Sequence, residues 1–133
     1  MNAPSPRTVL PDSIAAPGGH YSPGVVFNGT VHVSGQLPIR PDGTRAADQP
    51  FEVQARIALE NFLTVVGAAG GSKETLLKVN VYLVGAHLWP AFNAVYAEQM
   101  GDARPARAVI PVPELHHGFL VEIDGVAAVT KGH

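Results

Sequence analysis

From Tyr21 to Gly43 the chain reads YSPGVVFNGTVHVSGQLPIRPDG, and Val31, Val33 and Gly35 alternate with His32 and Ser34. A period of two marks a strand with one buried face. Asn28-Gly29 between apolar runs is a hairpin signal, and Pro41-Asp42-Gly43 is a turn signal. The segment predicts two or three short antiparallel strands. The period then changes. Ala55, Leu59, Phe62, Leu63 and Val66 fall on one face of a helix. Asp48 is placed to cap that helix, Pro50 lies in its first turn, and Gly70-Gly71 stops it.

LLKVNVYLV, Leu76 to Val84, returns to strand alternation. Leu77, Val79, Val81 and Leu83 point one way and Lys78, Asn80 and Tyr82 the other. A second helix runs from about Trp89 to Met100, with Pro90 in its first turn and Phe92, Val95, Tyr96 and Gln99 at helical spacing. Two strands follow, Ala106 to Val112 and Phe119 to Val129, with PELHHG between them. The order β-β-(β)-α-β-α-β-β predicts an α+β fold, a mixed sheet with two helices on one face. Residues 1–19, rich in Pro, Ala and Ser, read as an arm. Residues 20–130 read as a single domain.

Composition narrows the function. The 133 residues suit one core, and a net charge of -2 without a basic stripe argues against nucleic acid as a partner. Cysteine is absent, which removes thiol nucleophiles and thiolate metal sites. The N-terminus lacks the apolar core of a secretory signal, and no apolar stretch is long enough to span a membrane. A cytoplasmic protein is the expectation.

Two charges interrupt the last apolar strands: Arg107 in RPARAVIPV and Glu122 in FLVEIDGVAAV. Glu122 shares a face with Leu120 and Asp124, while Phe119, Val121 and Ile123 share the other. If these strands form a hairpin centred between Glu114 and Leu115, Arg107 lies opposite Glu122. That arrangement gives either a cross-strand ion pair or a small-carboxylate site. In the second case a guanidinium fork grips a carboxylate and Glu122 positions or deprotonates a water.

With GGHYSPGV, VSGQLPI, LENFLTVVGAAGG, LLKVNVYLV and FNAVYAEQM in the same order, these motifs resemble the YjgF/RidA family of imine/enamine deaminases across about Ala15 to Val129. The resemblance implies a chorismate-mutase-like homotrimer with sites in clefts between subunits. It implies hydrolysis of 2-imino or 2-enamino acids to 2-oxo acids and ammonia, without a cofactor or a metal. By the same resemblance Arg107 clamps the substrate carboxylate and Glu122 positions water. Tyr21 is the pocket tyrosine, Ser34 and Gly35 line the pocket, Asn93 sits near it, and the backbone of Val109 contacts substrate or water. The imine takes its proton from the same water or from the Tyr21 hydroxyl.

The sequence departs from the family in carrying Leu115-His116 where Leu-Pro is usual, Val109 where many relatives carry Cys, and Asp124 followed by Gly125, read as a bulge. A catabolic deaminase acting on ring-degradation intermediates is therefore one alternative, and a non-catalytic module that binds small carboxylates is another. The ribonuclease activity attached to this family does not suit the acidic balance. His116-His117 is set aside as a metal site, because adjacent residues of an extended chain point apart. His20 reads as a solvated loop residue, and Arg56 and Arg104 as surface or interface charges.

Overall fold

The structure, a computed structural model, describes residues 5–130. Its elements are β1 (Arg7–Val9), β2 (Gly24–Phe27), β3 (Thr30–Gln36), α1 (Phe51–Ala68), β4 (Leu76–Leu83), α2 (Trp89–Met100), β5 (Ala106–Pro111) and β6 (Val121–Ala128). The strands form one six-stranded sheet in the order β1-β2-β3-β6-β4-β5. All neighbours are antiparallel except β4 and β5. The core is built from α1, α2 and one sheet face, with Leu59, Phe62, Phe92, Val79, Val81, Val121 and Ile123 almost wholly buried.

The expected α+β architecture is present. Asn28 and Gly29 take φ of 51° and 76°, as a two-residue hairpin turn of the left-handed kind requires. They join β2 to β3. At the end of α1, Gly70 adopts φ 100°. Its amide donates to the Gly67 carbonyl and that of Gly71 to the Val66 carbonyl. These paired bonds satisfy carbonyls that the last helical turn leaves open.

Several local expectations are corrected. Asp48 does not cap α1. Pro50 holds the N-cap position without a side-chain bond, and the buried Gln54 amide instead donates to the carbonyls of Ala47 and Gln49. Leu77 does not face the core. The register shifts between Leu76 and Lys78, so Leu76 is buried and Leu77 is 49% exposed. Gly125 is not a bulge: it pairs in register with Val33 and Val79. A Cβ there would run into the Lys78 carbonyl oxygen of β4 and lie 2.9 Å from Cζ of Phe62, so its glycine admits both the neighbouring strand and the aromatic ring. The arm also contributes β1, which pairs with β2; residues 1–4 of that arm lie outside the described residues.

The main correction concerns the last two strands. They are not a hairpin, because β4 lies between β5 and β6. Strand β5 follows β4 through α2 and runs parallel to it, as a β-α-β crossover requires. Arg107 aligns with Val79, and Glu122 aligns with Tyr82. Val79 and Tyr82 are three residues apart on one strand and so face opposite ways. Arg107 therefore lies on the helix side of the sheet and Glu122 on the open side. Their backbones are roughly 14 Å apart, from two strand spacings and three residues of rise. The expected cross-strand pairing of Arg107 with Glu122 does not occur within one chain.

Candidate active site

Glu122 stands on the open face of β6, the face that α1 and α2 leave uncovered. The strand alternates strictly between buried and half-buried residues from Val121 to Ala128, so the carboxylate's direction follows from the sheet pleat. On β3 the register shifts between Val33 and Gln36, which brings Ser34 and Gly35 against it. A Cβ on Gly35 would run into the Glu122 carboxyl group, so only glycine allows this approach. The Ser34 hydroxyl donates to the Ser22 carbonyl at 2.6 Å. That bond ties β3 to the strap carrying Tyr21, which is 51% exposed.

These residues line a cavity of about 380 Å³ with Gly18, Leu37, Ile39, His116 and His117. Burial pushes the Glu122 carboxyl above its ordinary value; His116 opposes that rise and Asp124 adds to it. Asp124 is held by the Asn80 amide and the Tyr82 hydroxyl, both at 2.8 Å. Burial and these carboxylates push the Tyr82 phenol up to about 12. Glu122 itself makes no hydrogen bond or ion pair among the described residues, so its oxygens face the cavity unengaged.

Arg107 belongs to a second cavity of about 430 Å³, which shares no lining residue with the first. Its guanidinium donates to Asn93 Oδ1 at 3.1 Å. It also lies 4.8 Å from the Tyr96 ring centre and 6.0 Å from that of Trp89. Residues of α2 spaced three and four apart thus steer one side chain of β5, and ring contacts of this kind suit a planar cation. Burial raises the Tyr96 phenol, with Arg107 opposing. Among the described residues no carboxylate pairs with Arg107. Val109 is half-buried on the same strand and packs against the core. Arg104 lies exposed at the rim of this cavity, and Arg56 makes an exposed 3.4 Å ion pair with Glu98.

The expected residues therefore fall into two groups, Tyr21, Ser34, Gly35 and Glu122 in one and Asn93 and Arg107 in the other, while Val109 lines neither cavity. The histidine pair stands beside the first group. PELHHG is not extended there: His116–Gly118 form a short 3-10 turn with His117 at φ 58°. Both imidazoles consequently line the Glu122 cavity. The signal available in the sequence was Gly118, whose φ is 75°, directly after the pair.

The profile of the endoribonuclease L-PSP family matches residues 12–129. The chain belongs to this family, also known as YjgF/RidA. A RutC family protein of Sulfurisphaera tokodaii is 35% identical over 117 residues, 88% of this chain and 94% of that one. A protein of Dermatophagoides farinae named 2-iminobutanoate/2-iminopropanoate deaminase is 30% identical over 126 residues, 94% of this chain and 98% of its own. The crystal structure of YyfA from Yersinia pestis, a Rid-family protein of unknown function, superposes with a TM-score of 0.89. It is 31% identical and covers 94% of this chain and 100% of that one. The YjgF/RidA fold thus matches the expected one, and no helix among the described residues is long and apolar enough to cross a membrane.

Proposed function

We propose that this chain hydrolyses small 2-imino or 2-enamino acids to 2-oxo acids and ammonia, at sites formed between copies of itself. The observation that carries this reading is the separation of two complementary half-sites. Among the described residues, Arg107 is an oriented guanidinium without a carboxylate partner, and Glu122 is a half-buried carboxylate without a donor. They lie on opposite faces of one sheet. A small substrate with a carboxylate and an electrophilic carbon reaches both if a second copy presents its Arg107 to the Glu122 cavity. The uncovered sheet face and the exposed apolar residues Leu77, Trp89 and Ile110 favour such association, and a homotrimer closes it by symmetry.

In this reading Arg107 binds the substrate carboxylate with its fork, while Asn93 and Tyr96 hold the fork in place. Glu122 orients a water towards the imine carbon and accepts its proton. Tyr21, Ser34, Gly35 and the backbone at Val109 shape the space around the substrate. An imine is already electrophilic, so proximity and one positioned water supply most of what the reaction needs, without a cofactor. The deaminase name of the Dermatophagoides farinae relative supports the same chemistry.

The direct test follows ammonia and 2-oxo acid release from freshly generated 2-iminopropanoate and 2-aminoacrylate. Acceleration over the spontaneous rate is expected for the wild type, and strong loss for Arg107→Lys. No acceleration with any small imino acid would overturn the reading.

A further inference from the structure

We propose that His116 is the second proton-transfer group of this site, working as an acid–base pair with Glu122. The inference rests on the deaminase reading above and assigns it a proton donor. Two geometric observations carry it. His116 and Glu122 together line the cavity that holds Tyr21 and also the adjoining one, where Glu114 and Leu115 complete the wall. In addition, the loop bearing His116 is fixed. His117 adopts φ 58°, a conformation uncommon for a residue with a side chain and one that clusters at functional sites. Its ring meets buried Phe119 edge-on at 5.8 Å. The Phe119 amide donates to the His116 carbonyl at 3.1 Å, and the Leu120 amide to Gln54 of α1 at 3.0 Å. A loop tied to the core at successive residues presents the His116 ring to the cavity as a positioned group.

The charged and titratable groups around the pair are Asp124 on β6, Tyr82 on β4, Glu114 and His117 in the loop, and Tyr21 on the strap before β2. The His116 charge works against burial at Glu122 and favours the ionised carboxylate. Imidazole is also the side chain that changes charge near neutral pH.

The reaction balances with these two groups alone. Glu122 accepts a proton from water as the water oxygen bonds to the imine carbon. The C=N π pair moves to nitrogen, which takes a proton from the His116 imidazolium, giving a neutral carbinolamine. Glu122, now a carboxylic acid, protonates the amino nitrogen. The C–N bond breaks, ammonia leaves, and the hydroxyl proton passes to neutral His116 as the C=O bond forms. Both groups end as they began, and one water is consumed.

The test is the pH dependence of kcat for 2-iminopropanoate hydrolysis in wild type, His116→Gln and His116→Ala, with KM and thermal midpoint measured alongside. Wild-type kcat should show an alkaline limb. His116→Gln should lose that limb and about 10²-fold in kcat, with little change in KM or midpoint. Free imidazole should restore part of the rate to His116→Ala. An active wild type with an unchanged alkaline limb in His116→Gln would overturn the role of His116 and leave the deaminase reading standing. A wild type inactive on every small imino acid would overturn both.

Discussion

Glu122 occupies a position where burial and ionisation oppose each other. Its carboxyl is raised by burial, so the folded state holds that proton more tightly than the unfolded chain does. The stability it contributes is full below the unfolded value and is lost as pH rises through the folded one. At neutral pH the ionised side chain therefore weakens the fold. Glu122→Gln, similar in shape but unable to ionise, should unfold at the same or a higher temperature than wild type near pH 7. The gap should close as the buffer is taken below the Glu122 range, which a series of thermal melts checks. The same variant should lose about 10²–10⁴-fold in single-turnover rate. Arg107→Lys keeps the charge but not the fork that Asn93 and Tyr96 engage and that the proposed function assigns to the substrate carboxylate. It should lose about ten- to a hundredfold in kcat/KM, the span of a charge-assisted hydrogen bond worth ~1.5–3 kcal/mol. A lysine variant with near-normal kcat/KM would remove Arg107 from the site.

At the scale of elements, local patterns were legible and pairings were not. Asn28-Gly29, the alternation along β6 and the Gly70-Gly71 stop are fixed by neighbouring residues, and each stands where the sequence places it. Strand order is a non-local property. The segments before and after PELHHG look like hairpin arms, yet β5 follows β4 through α2 and runs parallel beside it, and β6 inserts on the other side of β4. That insertion converts a plausible Arg107–Glu122 ion pair into two groups on opposite faces of the sheet. Gly125 shows the same limit, because its approach to Phe62 depends on α1, more than fifty residues earlier in the chain. Gly125→Ala should destabilise the fold by about 1–3 kcal/mol, the usual cost of forcing extra volume into a packed core, as urea unfolding would measure. Gly35→Ala should behave differently. Its methyl group displaces the Glu122 carboxyl at the sheet surface, so turnover should fall far more than the unfolding midpoint.

The whole molecule, taken as one chain, separates the groups that the proposed chemistry needs together. The order of motifs pointed to the family and its fold. Their division between two faces was not legible, since it depends on β4 lying between β5 and β6. The central claim, that Arg107 of one copy serves Glu122 of another, has a direct test by mixing. Arg107→Ala and Glu122→Gln chains, each nearly inactive alone, are co-expressed with different tags and the mixed oligomers purified through both. In a cyclic trimer, every mixed assembly has one site with its Arg107 and Glu122 both intact, so about one third of wild-type turnover per chain should return. Mixed oligomers as inactive as their parents would contradict the account.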